Sequence, residues 1–396
     1  MRIGMILDKQ FPPDPRVENE AVSLIEEGHK VFLFCLSYDK YPLQEKANGI
    51  NVCRFPSSKL EYKLSALAYS FPFYTKIMEK KIGHFLSENN IEVIHIHDIQ
   101  IARAVFNANK HFELPTVLDL HENRPEIMKF YSHLKTFPGK YLISPKVWKN
   151  KEEVFVNRSK KVVVVTNEAK EELLSRTHIV SNDIYVVPNT VRKEFFKAPK
   201  IDANLINEFD NKFVLLYIGD TGDRRGLSTA IAALQSLKND IPEILLVIVG
   251  ASTNDSNLQQ QVKDLDLENY VDFRGWQDAS TFASYISASA ICISPLHKNP
   301  HHDTTYANKI FQYMSFGKPV LVSDVTAQQN IVENANAGAV HIERNSDDFT
   351  LKILELYAND GHRIKLGENG KYFVQNEFYW EKTSKELIKL YSDIES

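Results

Sequence analysis

Two stretches combine residue types and spacing that suit phosphate chemistry. The first is the loop Gly219-Asp-Thr-Gly-Asp-Arg-Arg-Gly-Leu, between an apolar run and a helical pattern. Glycine lets a backbone approach a ligand closely, and a helix N-terminus favours anions. Arg224 and Arg225 add fixed charge and fork-shaped donors that match phosphate. This pattern suits a diphosphate; the plain alternative is a turn with two solvated arginines. The second stretch runs from Thr304 to Val320. Asn308 is placed to cap a helix running to Phe316, which Gly317 ends. The amides of that helix start, with Lys309, would bind an anion. Thr304 and Gln312 lie about two turns apart, so a helix beginning early would put them on one face. A capped core helix explains the same spacing.

Histidines supply a third set. Asp119-Leu-His121-Glu122 and His95-Ile-His97-Asp98 each close a strand-like run. An imidazole there can donate to a sugar hydroxyl or a phosphate. His95 equally fits a hydrogen-bonded core imidazole. His301-His302-Asp303 is a suggestive triplet, but adjacent residues rarely close a zinc site alone. The expectation is no metal and no cofactor. Cys35, Cys53 and Cys292 are far apart and form no CxxC pair, as expected of reduced core thiols in a cytoplasmic protein.

These residues need a scaffold. At 396 residues the chain is too long for one ordinary core, and roughly 100–200 residues per domain predicts two. The net charge of −4 gives no basic field for nucleic acid. No apolar run reaches the ~18 residues a membrane span needs, and the N-terminus reads as a first strand rather than a signal peptide. Strand-like runs alternate with helical patterns: Arg2–Leu7, Val31–Leu36, Ile91–His97, Thr116–Leu120, Val162–Thr166 and Ile184–Val187. The pattern restarts at Phe213–Ile218, Ile244–Val249, Val271–Phe273, Ala290–Ser294 and Pro319–Ser323. This order predicts an α/β fold with two doubly wound, Rossmann-like domains facing a deep cleft, residues 1–195 and 205–370. Ligands then sit at strand carboxyl ends. Residues 192–211 read as a linker. The amphipathic segment in 371–396 is expected to pack back on the N-terminal domain. Tyr62–Lys81 is rich in aromatics and lysines, and Lys135–Lys151 is basic around Trp148. Both fit solvated faces, or a surface that meets lipid or a lipid-linked acceptor.

In order and spacing the chain resembles retaining glycosyltransferase family 4, the group 1 glycosyltransferases of GT-B fold, over nearly its whole length. The resemblance rests on Gly28-His29-Lys-Val, His95-Ile-His97-Asp98, Val186-Val-Pro-Asn189, Arg225-Gly226-Leu, Val247-Ile-Val-Gly250, Val271-Asp-Phe-Arg-Gly275 and Asn308–Val320. It implies a nucleoside-diphosphate-sugar donor, a glycan or lipid-linked acceptor, retention of configuration, and a role in cell-surface polysaccharide synthesis. The expected place is cytoplasmic, with peripheral contact at the inner face of the membrane. By this resemblance Gly219, Arg224 and Arg225 meet the diphosphate, Asn308, Lys309 and Ile310 lie near phosphates and sugar, and Gly250, Arg274 and Trp276 frame the base. Asn189 joins the donor set. His121, Glu122 and Arg225 are the expected catalytic residues, and Asp14 and Arg16 the expected acceptor contacts. Three departures stand out. The family's two glutamates are replaced by Thr304 and Gln312, with Asp303 one residue away as a stand-in. Asp220 occupies the place of an arginine. Asp14-Pro15-Arg16 stands where paired glycines are usual. These departures leave open a weakened nucleotide-sugar-binding partner subunit.

Overall fold

The computed structural model describes residues 1–38 and 41–395. The chain divides into two units: Met1–Asn189 with Thr383–Ser396, and Thr190–Lys382. The boundary therefore falls at Asn189, before the expected linker. Residues 192–211 instead contain short helices at Lys193–Lys197 and Ala203–Asn207. The helix Asp360–Asn376 runs through the expected boundary at 370, so only the chain from Thr383 joins the first unit.

The first unit holds β1 (Arg2–Ile6), β2 (Lys30–Ser37), β3 (Gln44–Ala47), β4 (Ile50–Pro56), β5 (Val93–His97), β6 (Thr116–Leu120), β7 (Lys161–Val164) and β8 (Ile184–Val186). They form one sheet in the order β3-β4-β2-β1-β5-β6-β7-β8, parallel except for β3 against β4. β5, β6 and β7 are buried along their whole length, so the polar residues they carry, among them His95, His97 and Asp119, are buried as well. The β3–β4 hairpin, absent from the sequence reading, turns at Asn48-Gly49, both at positive φ. That dipeptide is the strongest short hairpin signal, because such turns need positive φ at both central residues.

The second unit holds β9 (Phe213–Ile218), β10 (Ile244–Val249), β11 (Val271–Gly275), β12 (Ile291–Ser294), β13 (Val320–Ser323) and β14 (Gly338–His341), in the order β11-β10-β9-β12-β13-β14. Every pair is parallel. Counted within the unit, this is the Rossmann order 3-2-1-4-5-6. Strand order reverses between β9 and β12 here, and between β1 and β5 in the first unit. Ligands gather at such switch points, outside the strand carboxyl ends. The helix Lys385–Glu395 buries Leu387, Leu390 and Tyr391 within the first unit.

Candidate functional site

In the second unit, three neighbouring strands end in glycines at positive φ: Gly219 after β9, Gly250 after β10 and Gly275 closing β11. Gly219 N donates to Val249 O at 2.8 Å, and Gly250 N to Gly275 O at 2.7 Å. A Cβ on Gly250 would lie 1.9 Å from Gly219 O, so no larger residue fits. Gly226 adopts the left-handed conformation and opens the helix Leu227–Asp240; a Cβ there would meet Pro295 O at 1.7 Å. The backbone is thus laid bare where the diphosphate was expected.

Lys309 is the first residue of the helix Lys309–Ser315 and reaches this terrace. Its Nζ would be 3.3 Å from a Cβ on Gly219, and it lies 3.4 Å from the centre of the Tyr217 ring. It is buried and has no hydrogen-bond partner among the described residues. Burial pushes its pKa well below the usual lysine range, Arg225 adds to the shift, and Asp220 opposes it. A buried ammonium without an acceptor is costly, and an anion at Gly219 would remove that cost.

Several expectations need correction. Asp220 folds Oδ1 back on its own loop, where it accepts from Gly222 N at 3.0 Å and sits 3.4 Å from Arg225 Nε. Arg224 donates to His302 Nε2 at 3.2 Å, and His302 Nδ1 donates to His297 O at 2.8 Å. Burial lowers the pKa of His302 to about 3, so it acts as a neutral acceptor. Asn308 precedes the helix but is itself helical and its side chain makes no cap. Thr304 belongs to no shared helical face with Gln312, because a short helix at Pro300–Asp303 ends before it. Its hydroxyl donates to Pro300 O at 2.8 Å. Asp303 turns Oδ1 to the helix Thr326–Asn334, where it accepts from Thr326 N and Oγ1 at 2.9 and 2.8 Å. Arg274 is committed to Asp272 at 2.7 Å and Glu208 at 2.6 Å. Trp276 is 77% exposed next to Gly275, an open face for stacking. Ile310 is fully buried in the core, so only its backbone can serve a ligand. Gln312 and Asn189 are half-buried.

The first unit builds a different site. His121 Nε2 donates to Asp119 Oδ2 at 2.8 Å, and His97 Nδ1 lies 3.1 Å from the same nitrogen. Asp119 is fully buried at the end of β6 and also takes Arg16 Nη2 at 2.9 Å. Arg16 Nη2 lies 2.9 Å from Glu20 Oε1, and Arg16 Nη1 donates to Val187 O at 3.0 Å. On the far side, His95 Nδ1 meets the Tyr391 hydroxyl at 2.8 Å. Burial alone would lower the pKa of His121, but Asp119 and Asp98 outweigh it and raise the value to about 9. Burial raises that of Glu20 to about 8 against the pull of Arg16. Burial leaves His97 neutral, at about 3. Glu20, His95, His97 and Asp119 each bring one ligand-type atom within 4.8 Å of the others. Two cations, Arg16 and His121, already counter the carboxylates of Asp119 and Asp98, and Glu20 keeps its proton beside Arg16, so the cluster reads as an ion-pair network that orients His121.

Arg16 is therefore not an acceptor contact: it is 5% exposed and consumed by this network. Asp14 caps the helix Pro15–Glu26 through Val17 N at 3.2 Å. Glu122 is held by Arg124 at 2.8 Å. Glu20 and Tyr217 were missed. Glu20 sits four residues after Arg16 in the stripe of Val17, Ala21 and Leu24, and a carboxylate there signals a buried partner. Tyr217 sits in an apolar run that gives no such signal.

Comparisons with known proteins agree with this architecture. Residues 200–373 match the family described as glycosyl transferases group 1, and residues 16–195 match glycosyltransferase family 4. An uncharacterized glycosyltransferase of Methanocaldococcus jannaschii is 24% identical over 94% of this chain and 91% of its own. Phosphatidyl-myo-inositol mannosyltransferase of Mycolicibacterium smegmatis is 21% identical over 100% and 94%. The solved structure of Anabaena HepE in complex with UDP superposes with a TM-score of 0.75 at 16% identity, covering 99% of this chain and 100% of that one. The chain belongs to the group 1 glycosyltransferases of family 4 and carries their GT-B fold.

Proposed function

We propose that this glycosyltransferase moves a hexosyl group from a nucleoside-diphosphate sugar to a glycan or glycolipid acceptor, with retention, in cell-surface polysaccharide synthesis at the cytoplasmic face of a membrane. The observation that carries the reading is Lys309 Nζ, buried without a partner beside the glycine terrace. Such a group suits a diphosphate, with Arg225 and the amides after Gly226 sharing its charge. Trp276 offers the base a stacking face, and Gln312 can serve a ribose hydroxyl as donor or acceptor. Within the first unit, His121 is held as a cation by Asp119. Charge that develops on the leaving diphosphate is then met by Lys309, Arg225 and helix amides. The reading needs no metal. The complex of HepE with UDP supports a nucleotide donor of this kind.

Nucleoside diphosphates and their sugars first tested by thermal shift, then by mass spectrometry for donor hydrolysis and transfer, check the reading. Release of nucleoside diphosphate is expected. Absence of hydrolysis or transfer from every UDP-, GDP-, ADP- and TDP-sugar would favour the weakened partner subunit instead. One observation points that way: the Thr304 hydroxyl, at a family glutamate's position, is spent on Pro300 O.

A further inference from the structure

A cavity of about 960 Å³ lies wholly within the first unit, between the helix Lys59–Ser65 and the segment from Met128 to Trp148. Its size falls within the range of small-molecule sites. Leu67, Met128, Leu142, Ile143 and Trp148 give it a mainly carbon wall. Gln100 and Arg124 form a polar end. Arg124 donates to Glu122 and Gln100 at 2.8 Å each. Its Nε is buried without a hydrogen-bond partner among the described residues, and so is Nε1 of Trp148, a residue 1% exposed. A carbon-lined chamber with one guanidinium at its polar end suits a largely apolar ligand with an anionic head.

The outer rim is of another kind. Phe137 and Tyr141 are 83% and 76% exposed, and Leu60, Tyr62, Phe71 and Phe73 are exposed as well. The Ser70 hydroxyl donates to Leu142 O, which ties the two rim segments together. Residues 129–151 carry six lysines and no aspartate or glutamate. In residues 129–151 exposed aromatics stand among lysines without acids, and in the other rim segment Glu61 is paired with Lys81 at 2.7 Å, a pattern that fits the interface of an anionic bilayer.

We propose that this cavity takes the acceptor as an anionic lipid: its apolar chain passes the aromatic rim and lies against Leu67, Met128 and Trp148, and its phosphate-bearing head reaches Arg124. Arg124 opens the helix Arg124–Ile127 three residues after His121, and the charge of Asp98 feels both side chains, which puts the head on the side of the histidine that Asp119 holds. The inference deepens the glycosyltransferase reading and rests on it, but its test is a binding measurement that needs no turnover.

The probe is dodecyl phosphate below its micelle concentration, compared with dodecanol and with inorganic phosphate. Dodecyl phosphate is expected to bind at least about tenfold tighter than either part alone, because chain and head are recognised together. Leu67→Trp, which fills the cavity, is expected to lose that advantage while keeping UDP or GDP binding in the second unit. The exposed double change Phe137→Ser with Tyr141→Ser, which leaves the core intact, is expected to reduce sedimentation with phosphatidylglycerol-containing vesicles by at least about fivefold. Binding of dodecyl phosphate no tighter than its parts, or unchanged binding by a folded Leu67→Trp variant, overturns the proposal. Vesicle binding without dodecyl phosphate binding also overturns it, since a sticky rim would then act without a cavity. Lipid binding without any sugar transfer would leave the cavity standing and remove the function. Transfer to water-soluble glycans without lipid binding would do the reverse.

Discussion

The two units place their charges by opposite rules. In the first, the cations Arg16 and His121 face the carboxylates of Asp119 and Asp98, so the buried charges cancel among themselves. In the second, Nζ of Lys309 is buried over the Tyr217 ring with no hydrogen-bond acceptor among the described residues, and Asp220 Oδ1 accepts from Gly222 N within its own loop. A self-balanced network orients a side chain whether or not ligand is present. An unbalanced cation waits for one. The first site is thus built to position His121, and the second to bind an anion.

The largest effect expected from breaking this contrast is Asp119→Asn. It strips the network of its central carboxylate and leaves Arg16 and His121 buried without their counterion. Removing one partner of such a group costs about 3–5 kcal/mol. Denaturant unfolding should show that loss, and the His121 ring should titrate lower by NMR. Unchanged stability would mean that water already shares the charge. The same network predicts alkaline weakening. The folded pKa values of His121 and Glu20, about 9 and about 8, exceed their ordinary 6.5 and 4.5. Folding therefore holds extra protons, and the contribution is lost as pH rises through these folded values. The melting temperature of the wild type should fall more steeply between about pH 7 and 9 than that of His121→Gln. Parallel curves would contradict it. Arg225→Ala should weaken nucleoside-diphosphate binding by about 1.5 kcal/mol, the low end for a charged hydrogen bond, because Asp220 competes for the guanidinium. No change by calorimetry would remove Arg225 from the site. Smallest is Gln312→Glu, for which equal or tighter binding is expected, by under about 1 kcal/mol. A clear loss would show that the side chain does not face ribose.

The uneven legibility of the sequence has the same origin. β9 and β10 were plain because strands buried on both faces read as unbroken apolar runs. β14 was not, since Gly338–His341 is a short edge strand without such a run. The helix carrying Lys309 was placed with its first residue, but Asn308 makes no side-chain cap, and a break after Asp303 separates Thr304 from Gln312. Arg16 looked like a ligand contact because a basic residue at a helix start often is one. What decides otherwise is Asp119, distant by 103 residues, and no local pattern reports that. Likewise, motif order located Lys309, yet only the packed structure shows it buried and unpaired.

The most direct test of the second site is calorimetry with the tightest-binding nucleoside diphosphate, on wild type and Lys309→Met. Methionine keeps the volume and removes the charge. We predict affinity lower by about 1.5–3 kcal/mol, tenfold or more, with ligand-free stability equal or higher because a buried amine with no hydrogen-bond partner among the described residues is gone. Equal affinity, or a ligand-free protein that is clearly less stable, would contradict the claim that Lys309 is held in reserve for the diphosphate.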